Sequence, residues 1–161
     1  VPHPVVARRR LTTDPRQMMR STYAMFFQLP RLPEATVRAF DWRLTTRTLR
    51  QTSLPGTFSD ADLAVYRRAW AQPGAMTAML NWYRAAARPP DREWPGPLVF
   101  APTTIIWGKQ DFALRSIMAE ESAALCEDGE LIWLPDNTHW VQHEAAGTVN
   151  RILIDRCGGP R

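Results

Sequence analysis

Apolar residues recur every three or four positions through the first half of the chain and run consecutively in parts of the second, so two kinds of element are expected. In "DPRQMMRSTYAMFF", Met18, Met19, Tyr23 and Phe26 or Phe27 keep helical spacing. Asp14 stands where a helix cap belongs and Pro15 at the first helical position. "LPRLP" interrupts the pattern, and "EATVRAFDWRLTTRTLR" then reads as one or two short helices. "SDADLAVYRRAW" opens with Ser59 and has an acid three residues on, Asp62, the arrangement of a capping box. "PGAMTAMLNWYRAAAR" puts Met76, Met79, Leu80 and Tyr83 on one apolar face.

The pattern changes after "RPPDREWPGP", which holds four prolines and a glycine and reads as a linker. "LVFAPTTIIWG" is β-branched and ends in glycine, which predicts a strand at about 103–107. "SIMAEESAALCE" predicts a helix ended by Asp128-Gly129, and "ELIWL" a second strand. "WVQHEAAGTVNRILIDRC" predicts one last helix, weakened by Gly147 and stopped by Gly158-Gly159. Strand, helix, strand, helix implies a parallel pair joined by a right-handed crossover. Parallel strands need both faces covered, so two strands look like the edge of a larger α/β sheet.

Composition narrows the class. The 161 residues suffice for about one domain with a moderate core. No apolar run approaches the roughly 20 residues of a membrane span, so none is expected. The net charge of +4 is spread along the chain and not gathered in a stripe, which argues against a nucleic-acid partner. Arg8-Arg9-Arg10 reads as a solvated face. Two cysteines, Cys126 and Cys157, fit a reducing compartment and hence a cytoplasmic protein. The chain starts at Val1, as a piece of something longer would.

Functional groups in open α/β sheets collect on loops at the carboxyl ends of strands. One such loop, "IIWGKQDFAL", carries Asp111; the other, "LPDNTHW", carries His139. On neighbouring strands the two would leave the same sheet edge. A carboxylate there fixes the histidine tautomer, and the second ring nitrogen can take a proton near neutral pH. The plainer alternatives are a turn aspartate and a surface histidine, and the coincidence on adjacent strands favours the pair. His139 and His143 stand four apart beside Glu144, but the His-Glu-x-x-His order of a metal helix is absent, so no metal site is expected. His3, between two prolines, reads as part of an extended approach. Tyr23 and Tyr83 sit in apolar helical segments, either as core aromatics with satisfied hydroxyls or as two phenols aimed into a shared pocket.

These segments together, "STYAMFFQLPRLPE", "GAMTAMLNWYRAA", "IIWGKQDFAL" and "LPDNTHWVQHEAAGTVNRIL", resemble the soluble epoxide hydrolase branch of the α/β-hydrolase superfamily over nearly the whole chain. The tyrosine segments are the most specific part of the likeness. The resemblance implies a partial α/β-hydrolase fold, a mostly helical cap followed by two parallel strands with flanking helices. Residues 1–13 would be the exit from a core strand and a linker, 14–95 the cap, and 96–161 the C-terminal part of the core. By the same likeness Tyr23 and Tyr83 hold an epoxide oxygen, Asp111 orients His139, and His139 activates water. Trp140, Phe27 and Trp82 would line the substrate pocket. No cofactor is implied. The attacking aspartate and the oxyanion hole would lie upstream, in a missing N-terminal half of the core. The chain alone is therefore expected to lack turnover and to be poorly stable. A haloalkane or haloacetate dehalogenase of the same superfamily, a serine esterase, and a non-catalytic remnant or small-ligand binder are the rival readings.

Overall fold

The computed structural model describes residues 1–88 and 96–158, and within them the chain starts on a helix, α1, Pro4–Thr13. The His3 side chain caps it, with Nδ1 accepting from the Val5 N–H at 3.2 Å, and Pro4 occupies the first turn, where a missing N–H costs nothing. The approach around His3, expected to be extended, thus leads at once into a helix that takes up most of residues 1–13. The segment coils because its apolar side has somewhere to go: Val6 is 1% exposed and packs with Trp107, Met118 and Ala119. Arg10 holds the same helix to Glu121, and the His3 N–H donates to Ser122 Oγ at 2.8 Å. Three consecutive arginines diluted the apolar pattern that would have marked it.

The next helices follow the spacing of their apolar positions. Asp14 Oδ1 accepts from the Arg16 and Gln17 N–H groups and caps α2, Pro15–Arg20. A turn at Ser21 separates it from α3, Thr22–Phe26. The element α4, Leu32–Gln51, is two short helices joined at a kink over Ala39–Trp42. Phe40, Asp41 and Trp42 have positive φ there, a conformation that costs L-residues about 1–2 kcal/mol each. The kink drives Trp42 inward, where its ring meets that of Trp70 at 5.6 Å. The capping box of α5, Asp60–Trp70, forms in full: Ser59 Oγ accepts from the Asp62 N–H while the Asp62 carboxylate accepts from the Ser59 N–H. Met76 and Leu80 bury the inner face of α6, Ala75–Ala86. Trp42, Leu49, Phe58, Leu63, Trp70, Met76 and Leu80 make the core of this helical half. Most of the proline-rich linker, 89–95, lies outside the described residues.

The second half is α/β. Strands β1, Thr103–Gly108, and β2, Gly129–Leu134, pair in parallel, Thr103 opposite Gly129 and Gly108 opposite Leu134. Helix α7, Ile117–Ala123, connects them. Its Met118 and Ala119 form a second core with Val6 and Trp107, against which Ile105, Leu131 and Trp133 pack. The last helical segment is broken into α8, Val141–Glu144, and α9, Ala146–Cys157. The break falls at Ala145, where φ is −125°, and not at Gly147, the weak point expected from helix propensity. Gly158 ends α9, and Gly159 lies outside the described residues. Among the described residues each strand is paired along one edge only.

Candidate active site

Both strands end at Gly108 and Leu134, and the two loops that follow are held against each other. A Cβ on Gly108 would collide with the carbonyls of Asn137 and Thr138, so glycine is what lets the loops close up. The Lys109 N–H donates to the Leu134 carbonyl at 2.9 Å and the Gln110 N–H to that of Asn137 at 3.0 Å. These contacts set Asp111 beside His139.

Asp111 uses its two oxygens for two tasks. Oδ1 accepts from the Ala113 and Leu114 N–H groups at 2.8 and 2.9 Å, which closes the turn. Oδ2 lies 2.9 Å from His139 Nδ1. Asp111 therefore closes a turn and at the same time meets His139. The carboxylate is 7% exposed and the imidazole 35%, so the carboxylate is enclosed and the imidazole accessible. With Asp111 ionised, Nδ1 carries the proton and donates it, leaving the Nε2 lone pair free to accept another. His139 lies between two rings, Phe112 at 6.0 Å and Trp140 at 5.5 Å. A cavity of about 340 Å³ adjoins the pair, lined also by Ile106, Trp107 and Leu114.

The two phenols meet on the helical side. Tyr23 and Tyr83 rings stand edge to face at 5.8 Å, and Phe27 touches both, at 5.6 and 5.0 Å. Burial first, then the neighbouring Tyr83 and the charge of Asp111, push the Tyr23 phenol up to about 12. Tyr23 thus stays protonated across the physiological range and can donate. Its response to Asp111 puts Tyr23 within electrostatic reach of the carboxylate. The pair does not line the 340 Å³ cavity, and Tyr23 and Tyr83 are 41% and 39% exposed.

The three expected lining residues separate. Phe27 sits with the tyrosines. Trp140 turns away from the cavity: its Nε1 donates to Thr52 Oγ1 at 3.1 Å and its ring packs on Phe58 at 5.7 Å. Trp82 is 81% exposed and outside the ring cluster, because one step along α6 rotates it away from the side that carries Tyr83. His143, expected on a helix surface, is exposed but meets the Tyr66 hydroxyl through Nε2 at 3.0 Å.

Two residues that sequence reasoning passed over hold the loops. Gln17 is fully buried on α2; its Nε2 donates to the Ala113 carbonyl at 2.8 Å and its Oε1 accepts from the Arg115 N–H at 3.0 Å. It fixes the turn behind Asp111. Asp14 assists through an ion pair with Arg115. Glu144 does the same for the His139 loop, accepting from the Thr138 N–H at 2.7 Å. A buried glutamine inside a helix leaves no periodic signal. Glu144 had one, its place five residues after His139, which spacing alone could not interpret.

No family model matches the chain. It is 36% identical over 155 residues to the AB hydrolase superfamily protein YfhM of Bacillus subtilis, across 96% of this chain and 54% of that protein. It is 28% identical over 160 residues to mouse epoxide hydrolase 4, across 94% of this chain and 44% of the relative. The chain thus spans about half the length of the curated relatives it matches. Among solved structures, a Bacillus megaterium epoxide hydrolase in complex with an inhibitor superposes with a TM-score of 0.77 at 20% identity, over 98% of this chain and 57% of the other. The parallel strand pair, its flanking helices and the preceding helical unit are therefore those of a partial α/β-hydrolase fold. The chain is thus similar in sequence to an AB hydrolase superfamily protein and to epoxide hydrolases, and it shares the α/β-hydrolase fold over the part it spans.

Proposed function

We propose that this chain is part of an enzyme that hydrolyses an epoxide to a diol through an alkyl-enzyme ester. A carboxylate from a part of the protein outside this chain attacks an epoxide carbon. A carbon–oxygen bond forms there, the ring carbon–oxygen bond breaks, and the released alkoxide takes a proton from Tyr23 or Tyr83. Water then attacks the ester carbonyl, giving its proton to His139 Nε2 while Asp111 steadies the resulting imidazolium. The diol leaves, the carboxylate is restored, and the imidazolium proton returns to the phenol. The sum is one water added to one epoxide, with no metal or organic cofactor among the steps. Residues 14–95 act as the cap over this site, and the remaining strands of the hydrolase core act as the partner that completes the sheet. The two cysteines fit a cytoplasmic setting.

One observation carries the choice of reaction: two tyrosines, 60 residues apart in sequence, stand ring to ring, and one of them is held protonated beside the charge of Asp111. Paired phenols suit a developing alkoxide, which is a hard, localised anion. A departing halide is better held by indole N–H groups. Here the Trp140 N–H is committed to Thr52 and Trp82 faces outward.

The test uses the full-length protein with styrene oxide, a chlorinated alkane and a p-nitrophenyl ester in parallel. Diol formation well above the other two activities, falling about 10²–10³-fold in Tyr23→Phe as for loss of one oxyanion donor, is the expected result. Halide release or ester cleavage without diol would overturn the reading.

A further inference from the structure

Glu144 is half-buried at the end of α8, a long way in sequence from the helical half, yet it joins the two halves. Its Oε1 accepts from the Leu54 N–H at 3.0 Å and from the Thr138 hydroxyl at 2.6 Å. Its Oε2 accepts from the Thr138 N–H at 2.7 Å. Leu54 lies in the loop between α4 and α5, and Thr138 immediately precedes His139. The contact is reinforced on both sides. Thr138 Oγ1 lies 3.2 Å from the Thr52 carbonyl, and the Trp140 N–H of the indole reaches Thr52 Oγ1. Phe58 packs on Trp140 and on the His143 ring. One carboxylate thereby sits at the junction of the loop bearing the imidazole and the loop bearing the lid's inner wall.

We infer that Glu144 is a positioning residue: it locks the His139 loop to the 52–58 loop of the helical half, so that the base and the lid move as one body. This rests on the reading of His139 as the base that activates water. The chemistry demands a carboxylate. Two backbone N–H groups, of Leu54 and Thr138, converge on different oxygens of the carboxylate, and an amide in its place must present an N–H₂ group to one of them, leaving that backbone group unpaired. An aspartate is one methylene shorter and cannot span both loops from the same backbone position. Glu144 does not itself line the cavity; it reaches it through Thr138, which does, so it acts through the loop that bears His139 and not directly on substrate.

NMR-detected amide exchange on the purified full-length protein tests the lock, comparing wild type with Glu144→Gln and with Thr138→Val, the milder change that keeps the Thr138 N–H. The expected result is faster exchange at Leu54 and Thr138, at least about tenfold in Glu144→Gln and less in Thr138→Val, with amides of α6 and β1 unchanged. With styrene oxide the same variants lower kcat with KM nearly constant, and Glu144→Gln adds no further loss in a His139→Ala background. Uniform acceleration across the molecule, or no change at Leu54 and Thr138, overturns the lock. Faster local exchange with kcat untouched overturns the positioning role. An absence of diol formation by the wild type would instead sink the epoxide reading, and the exchange data would still decide whether the lock exists.

Discussion

At the scale of single residues the site divides its labour between atoms. Asp111 gives one oxygen to a turn and the other to His139, so Asp111→Asn leaves the turn and spoils the tautomer. In the full-length protein this substitution lowers kcat by about 10⁴-fold with folding intact, measured as diol formation alongside circular dichroism. Tyr23 is expected to titrate late, and an ultraviolet pH titration that resolves one phenol ionising at about 12, above the ordinary tyrosine value of 10, is the check. Burial leads that shift and Tyr83 follows, so Tyr83→Phe moves the Tyr23 midpoint down. The sign is fixed by linkage. The folded phenol holds its proton more tightly than the unfolded one, so its contribution to stability is complete below pH 10 and is lost as pH rises through the folded value. The apolar helix faces alone left Tyr23 and Tyr83 as core aromatics and only the resemblance paired them, whereas the meeting of Asp111 with His139 was legible in the sequence because both follow predicted strand ends. Gln17 and the outward turn of Trp82 were not, since a buried amide is set by its tertiary partners and a one-residue rotation on a helix is invisible to an apolar count.

At the scale of elements, caps and clamps decide which segments hold. The capping box of α5 was readable from Ser59 and Asp62 alone, and Ser59→Ala costs about 1 kcal/mol in a urea unfolding experiment. The helix α1 was missed because its only fully buried apolar residue is Val6, and its polar hold comes from His3, Arg9 and Arg10 on Ser122 and Glu121 of α7, across more than 100 residues of chain. The break at Ala145 was likewise unreadable, since Glu144 is drawn into contacts with Thr138 and Leu54 that only the fold creates. Those contacts also give a pH dependence. Burial pushes the Glu144 carboxyl up, but donors from Thr138, Leu54 and Asn137 outweigh it and hold the group below its ordinary value. Its contribution is therefore present above the ordinary glutamate range and is lost as pH falls through the lowered folded value. Between neutral and acid pH the wild type loses more stability than Glu144→Gln does, read as the difference in urea midpoints.

At the scale of the whole molecule, two cores share one chain. The helical core and the sheet core meet where Trp140 leaves the sheet side and packs among Phe58 and its neighbours. The resemblance to known sequences implied the partial α/β-hydrolase architecture, and the helical half and the α/β half were readable because the periodicity changes at the proline-rich segment. What covers the free strand edges was not, because no pattern within these residues encodes it. Large apolar side chains stand open on the α/β half, Phe100 at 72% and Ile154 at 67% exposed. Residues 1–161 on their own are therefore expected to melt at low temperature without strong cooperativity and to form no diol above buffer; a sharp, high-temperature transition in calorimetry would contradict this. The most direct measurement of the proposed chemistry is intact-protein mass spectrometry of full-length His139→Gln after incubation with styrene oxide. With the water-activating base removed, the protein gains the mass of one epoxide as an ester, on a carboxylate that peptide mapping assigns outside residues 1–161. An unmodified His139→Gln protein, from a wild type that does form diol, would contradict covalent catalysis with His139 as the base.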